Sequence, residues 1–401
     1  MKEWLIEPRD PLIARDGKPS DNGRFSTLGF PYPSMLAGAV RTRLVAGRGS
    51  FDLSGLALEE LKKITVRGPL LAELAEGAGP EVRWLVPAPR DVFFEQFPDE
   101  RVARRVLRPE PLGTRGSMDS LPENGLIPMV TGWQRSPGKA PKVPAFWEWT
   151  EFESWLVQPE ERDPVNLSAL GIDALPVERR VHLALQPGER VGIDGALFET
   201  AGLRFLQPGE SRLAPRRFAL SVRVGEGQVG ERRLELLEQV AALGGERRLA
   251  HWAPSPQAWP GLPVAVRDRI VATRRARILL ATPAFFSDGA LPGWSGGPWP
   301  LKGNVRVTVR AACVPRPEII SGWDLAYDNG PGAKRGRPKP TRRLAPAGSV
   351  YFVELEGGSP EDLAQWCEST WLAPISDTEQ ERLDGFGLAF LGTWEETRHE
   401  T

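Results

Sequence analysis

Stretches with a clear hydrophobic period alternate along this chain with long stretches that have none. Residues 2–7 predict a short strand, closed by a proline- and charge-rich loop from 8 to 29. A helix starts near Ser34, an N-cap candidate after Pro31-Tyr32-Pro33, with Leu36, Ala39, Val40 and Leu44 on one face. Residues 64–71 and 82–86 predict two more strands. From 90 to about 180 the period fades. Proline is frequent there and Trp133, Trp147, Trp149 and Trp155 cluster, which predicts a loop-rich insertion laid over the first half, with a separate small domain as the alternative. Patterning returns at 218–224, where Phe218, Leu220, Val222 and Val224 alternate with Ala219, Ser221 and Arg223. Leu234, Leu237, Val240 and Ala241 then predict a helix over 231–243, stopped by Gly244-Gly245, and residues 248–252 predict a strand.

The second half repeats this order. Strands are predicted at 277–286, at 305–311 and at 349–355; in the second, Val305, Val307 and Val309 oppose Arg306, Thr308 and Arg310. Ser359-Pro360-Glu361-Asp362 is a helix start with an N-cap serine, proline at the first position and acids in the first turn. Leu363, Trp366 and Cys367 give that helix its apolar face. Gly385-Phe386-Gly387 and a strand at 388–394 complete the pattern. Each half thus reads strand-helix-strand-strand and then helix, glycine turn, strand, although the first helix of the second half shows no pattern. The predicted fold class is α+β: two tandem ferredoxin-like, RRM-like domains with antiparallel sheets. Residues 1–255, with the insertion around 90–180, form the first domain and 256–401 the second.

Composition narrows the function classes. A chain of 401 residues exceeds a usual single core. It has no run of 18 apolar residues and no signal-peptide pattern at Met1-Lys2-Glu3-Trp4, so a cytoplasmic protein without membrane contact is expected. Cys313 and Cys367 lie far apart without metal spacing, which argues for packing rather than a disulfide or zinc site. The formal net charge of −1 gives no global signature of a nucleic-acid binder, so any RNA site must be local. Nine of the 51 basic residues are lysine; single arginines therefore carry little weight.

Catalytic constellations are scarce. Gly225-Glu-Gly227-Gln-Val-Gly230 fits G-x-G-x-x-G between a strand and the predicted helix, but no acid closes the next strand to hold a ribose. No phosphate-loop, H-E-x-x-H or paired-cysteine motif occurs, and no cofactor is implied. His182 and His251 fall in strand-like contexts, where a packed or surface histidine competes with a general base for RNA cleavage.

Three basic surfaces remain. Residues 334–343 hold six cations and no acid, including Lys339, Arg342 and Arg343. Such a run reads either as a solvated loop or as a phosphate ligand, and its position leading directly into a strand favours the second. Trp323, just before it, fits a stacking surface or core packing equally. Gly244-Gly245 beside Arg247 and Arg248 predicts a phosphate nest of backbone N–H groups. The loop after the first strand offers Arg9, Arg15, Lys18 and Arg24, followed by Arg41 and Arg43 on the helix, diluted by Asp10, Asp16 and Asp21.

In order along the chain, EPRDPLIARDGKP (7–19), FPYPSMLAGAVRTRL (30–44), VRGPLL (66–71), WLVPAPRD (84–91), LGGERRLA (243–250), GWDL (322–325), KPTRRLAPAGSVYF (339–352) and GFGLAFLGTW (385–394) resemble one family. It is the third subunit of the Cmr complex, the type III-B CRISPR effector, within the RAMP superfamily. The last stretch resembles the glycine-rich loop of these proteins. The resemblance implies a non-catalytic subunit that grips the 5′ tag of the guide RNA, with target RNA met only indirectly. Its implied partners are the large polymerase-like subunit and the backbone RAMP subunits. Carried onto matching positions, it implies RNA contact at Arg15, Lys18, Arg41, Gly244, Gly245, Arg247, Arg248, Lys339, Arg342 and Arg343. The alternative is a RAMP endoribonuclease that cuts repeat RNA without metal, with His182 or His251 as base.

Overall fold

The computed structural model describes residues 1–15, 24–25, 27–47, 58–75, 81–111, 126–130, 140–189, 191–209, 215–294, 304–324, 327, 330 and 336–394. The first half is built on β1 (Lys2–Pro8), β2 (Val66–Ala75), β3 (Glu81–Pro87), β4 (Phe146–Glu148) and β5 (Gly171–Ile172), followed by a separate hairpin of β6 (Val177–Leu185) and β7 (Gly192–Leu203). It is completed by β8 (Arg216–Val224), β9 (Gln239–Leu243) and β10 (Arg248–Pro254). Apart from the hairpin, these strands form one sheet in the order β5-β4-β3-β2-β8-β1-β10-β9. β1 lies inside it, with Lys2 opposite Val224 and Trp4 opposite Pro254.

Helix α1 (Pro33–Ala46) begins one residue before the predicted cap, with Tyr32 in the cap position and proline in the first turn. Its Leu36, Val40 and Leu44 are buried with Val66, Leu71, Leu220 and Val222. The apolar stripe that predicted the helix is therefore the face it lays on the sheet.

Residues 231–243 are not a helix. Gly227–Val229 and Arg232–Leu234 form a tight hairpin around Gly230, whose φ of +57° suits glycine, and β9 follows as a strand. The G-x-G-x-x-G run therefore opens no helix and makes no dinucleotide site. Gly244-Gly245 links β9 to β10, with Leu243 opposite Arg248, rather than ending a helix. The predicted insertion also differs from a layer over the surface. Helix α2 (Trp149–Val157) buries Phe152 and Trp155, and Trp147 on β4 is fully buried beside them. The Trp147 and Trp155 indoles meet edge-on at 5.7 Å, so these two tryptophans of the cluster are core, while Trp133 lies outside the described residues.

The second half opens with α3 (Val264–Thr273) and continues with β11 (Arg275–Leu280), β12 (Arg306–Cys313), β13 (Val350–Glu356), α4 (Pro360–Thr370), β14 (Ala373–Pro374), α5 (Glu379–Asp384) and β15 (Leu388–Thr393). The sheet order is β12-β13-β11-β15-β14, all antiparallel. Helix α4 starts as its sequence predicts. Ser359 Oγ accepts from the Asp362 N–H while the Asp362 carboxylate accepts from the Ser359 N–H, a complete capping box.

Both sheets share a four-strand order of second, third, first, fourth: β2-β8-β1-β10 and β12-β13-β11-β15. Their helices differ. The first half keeps the helix between its first two strands and has strands where the second helix was expected. The second half keeps α4 between its third and fourth strands, and no helix stands between β11 and β12 among the described residues. Helix α3, which precedes β11, packs on α4 and β15 instead.

One hydrophobic core runs through both halves, from Leu5, Leu70 and Trp84 through Phe152 and Trp155 to Ile278, Phe390 and Trp366. At its centre Arg277 on β11 is 1% exposed. Its Nη1 donates to Asp91 Oδ2 at 2.5 Å, its Nε to the Thr393 oxygen at 2.6 Å and its Nη2 to the Trp155 oxygen at 2.5 Å. Trp155 Nε1 donates to the other Asp91 oxygen at 2.9 Å. The terminal glycine turn closes the same seam. A Cβ on Gly385, at φ +93°, would stand 2.7 Å from the Val66 oxygen of β2.

Candidate nucleic-acid interface

The three basic surfaces predicted from the sequence meet different fates. The Gly244 turn is laid directly on the segment after β1. The Gly245 N–H donates to the Ile13 oxygen at 2.8 Å, and a Cβ on Gly244 would come within 2.7 Å of that oxygen. The two glycines therefore serve close approach. One N–H of the predicted nest is already committed, which weakens that reading. Residues 246 and 247 continue with positive φ values of 56° and 51°, which turn the Arg247 side chain outward.

That contact assembles an open groove of about 770 Å³. Arg15 stands on one wall, Arg247 with Gly244 and Gly245 on another, and Arg43 with Thr42, Ala39 and Met35 of α1 forms the third. Three guanidinium groups line it, and no carboxylate does among the described residues. Such a lining suits phosphates, because each planar guanidinium offers paired donors to an oxyanion. Arg248 is not part of it and binds Glu246 at 2.7 Å. Lys18 lies outside the described residues.

Arg41 points elsewhere. Its Nη1 donates to Asp384 Oδ1 at 2.6 Å, and its Nε and Nη2 donate to the Ile64 oxygen at 3.2 and 2.8 Å. Both charged partners are only 11% exposed, so Arg41 ties α1 to α5 across the halves. Arg342 is engaged in the same way. It is paired with Glu381 of α5 and lies 5.0 Å from the Phe285 ring centroid. Arg343, one position on, is exposed on the opposite face of its strand, and Lys339 is half-buried. Lys334 and Arg335 of the basic run lie outside the described residues. The Gly385-Phe386-Gly387 turn is buried, and its carbonyls accept from Thr282 and Ser376. It offers nothing to a ligand in this state.

The histidines are not brought together. His182 stacks on Phe198 at 5.0 Å and its Nε2 lies 2.9 Å from Thr200 Oγ1, while His251 stands 3.7 Å from Glu238. Burial pushes the Cys367 thiol up to about 12 and raises that of Cys313 further, so neither is a nucleophile at neutral pH. No group of three or more His, Cys, Asp or Glu side chains suited to a metal occurs among the described residues. No helix there is long and apolar enough to cross a membrane.

Sequence reasoning had named Arg15, Arg43, Gly244, Gly245 and Arg247 without joining them. It missed Ile13, whose carbonyl seats the glycine turn and so sets the groove's shape. The apolar Leu12-Ile13-Ala14 inside a charged loop was the available signal, since an isolated apolar triplet there implies burial.

A family model described as a CRISPR-associated protein, Cas_Cmr3, matches residues 4–394. No curated protein matches the sequence. Among solved structures, a chain of the Type III-B Cmr-beta bound to cognate target RNA and AMPPnP is similar at 13% identity. The match covers 88% of this chain and 86% of that one, with a TM-score of 0.45. A chain of the Type III-B Cmr-beta bound to cognate target RNA matches at the same identity and coverage, with a TM-score of 0.41.

Proposed function

This chain belongs to the CRISPR-associated Cas_Cmr3 family, among the subunits of the type III-B Cmr effector, and from that premise we propose that it is a non-catalytic, cytoplasmic subunit holding the 5′ tag of the guide RNA. In the same reading it docks the large polymerase-like subunit onto the RAMP backbone in antiviral defence. We read its two halves as ferredoxin-like sheets, each short of one helix among the described residues.

The observation that carries the RNA assignment is the groove with Arg15, Arg43 and Arg247 on its walls and no carboxylate among its described lining. Three arginines converge on one groove from a loop, a helix and a glycine turn. Like charges gathered on one concave surface suit a backbone of phosphates. The endoribonuclease alternative gains nothing from the geometry, since His182 is stacked and His251 sits apart from it on another strand.

The test is an Arg43→Gln/Arg247→Gln variant assembled into the complex, with guide RNA retention followed against salt. Losing two phosphate contacts on a single strand should flatten the logarithmic salt dependence by about 1.4, at roughly 0.7 per contact. Unchanged retention and slope would sink the groove assignment. Guide-independent cutting of repeat RNA, abolished by His182→Ala or His251→Ala, would sink the non-catalytic one.

A further inference from the structure

The excursion between β12 and β13 carries a surface that the groove does not use. It is one antiparallel arm in two short ladders: Glu318–Ile320 pairs with Arg342–Leu344, and farther out Trp323–Asp324 pairs with Arg337–Pro338. The inner side is anchored, with Ile320 and Leu344 buried beside Tyr32 and Phe386. The outer side is open. Ile319, Trp323 and Tyr327 are 51%, 54% and 40% exposed.

Cations lie along this side of the arm. The Arg337 guanidinium lies 3.9 Å from the Tyr327 ring centroid, and exposed Arg343 stands across from Ile319. Neither Lys339 nor Arg343 has an acidic side-chain partner among the described residues. The acid of the outer ladder, Asp324, lies 3.7 Å from Lys62. The indole is also held in place. A Cβ on Gly336, at φ +92°, would overlap Trp323 Nε1, so glycine there seats the ring while more than half of the residue stays open.

An open, seated indole beside a guanidinium-capped ring and unneutralised cations matches the chemistry of an unpaired nucleotide. The base stacks and the phosphate meets the cation. We infer that this arm stacks an unpaired base of single-stranded RNA on Trp323, with the Tyr327–Arg337 pair alongside and Arg343 at a neighbouring phosphate. The inference rests on reading the chain as an RNA-binding subunit. It adds a contact that depends on a base, where the groove depends on phosphates alone.

The full-length chain, titrated with a short oligouridylate and with an abasic oligomer of equal charge, separates the two. Trp323→Leu should weaken oligouridylate binding about 5- to 100-fold and leave the abasic oligomer unchanged, with Trp323→Phe recovering most of the loss. Arg43→Gln/Arg247→Gln should weaken both oligomers alike. If Trp323→Leu behaves as the unmodified chain does, including no binding by either, the arm assignment falls. A loss seen only in the groove variant would then leave the groove standing. If Trp323→Leu leaves the RNA titrations unchanged but releases another subunit from the assembled complex, the arm is a protein-docking surface and the inference is wrong.

Discussion

Truncating Asp91 to alanine should cost the protein about 3–5 kcal/mol, the range for removing one partner of a buried ion pair. Both side chains of the Asp91–Arg277 pair are 1% exposed, so water cannot replace the lost carboxylate. The Trp155 indole N–H loses its acceptor at the same time. Arg277 keeps the carbonyls of Thr393, Trp155 and Leu156, which solvate the guanidinium but do not neutralise it. Burial already pulls its pKa below the usual arginine value, and removing Asp91 removes the main influence that opposes this. Asp91→Asn, which still accepts from Trp155, should lose less than Asp91→Ala. Urea denaturation of the full chain, followed by tryptophan fluorescence, reads the change. A cycle with Arg277→Met and the double variant should show coupling of about 2 kcal/mol or more, because the two groups share one low-dielectric site. A loss below about 1 kcal/mol for Asp91→Ala, or simple additivity in the cycle, would refute the claim that this pair bolts the halves together.

Gly385→Ala should destabilise by at least about 2 kcal/mol, since it joins left-handed strain to an overlap with the Val66 oxygen. Gly230→Ala, with φ +57° and open space around it, should cost only about 1 kcal/mol; equal thermal shifts for the two would count against the packing argument. Ser359→Ala removes one half of the capping box on α4 and should cost about 1 kcal/mol by chemical denaturation, and no loss would mean that α4 is held by packing alone. Burial raises the pKa of Glu318 above its usual 4.5, so its ionised form is a penalty in the folded state. Glu318→Gln should therefore melt higher than the unmodified chain at neutral pH, and the advantage should vanish as pH falls below about 4.5. An advantage independent of pH would point to another cause.

Helix α4 was legible because everything that starts it lies within Ser359–Asp362, where side chain and backbone meet locally. Helix α1 was legible because its apolar stripe has one period and one destination. Residues 239–243 were misread for a physical reason. Leu234, Leu237, Val240 and Ala241 fit a helical face, but the chain instead buries Ala241 and Leu243 and leaves Val240 56% exposed, the alternation of a strand. Gly244-Gly245 could have been taken as a hairpin link as readily as a helix stop. The partners of Arg41 and Arg342 were beyond any local pattern. Asp384 is 343 positions from Arg41, and Glu381 is 39 from Arg342. Two basic residues that a motif comparison favours for RNA are thus engaged by α5, while Arg43, two positions from Arg41 on the same helix, reaches the groove.

The register of β1 has a consequence for how the chain is made. Its neighbours on either side reach Val224 and Pro254, so the first strand leaves the ribosome long before either exists. At synthesis rates of about 5–20 residues per second, Trp4-Leu5-Ile6 waits on the order of 10–50 s with both edges unpaired. Until then the nascent first half has α1 and the β2–β3 hairpin but no central strand to unite them. A chain stopped before residue 216 keeps an apolar strand with no sheet to enter, and the cell has to shield it or degrade it.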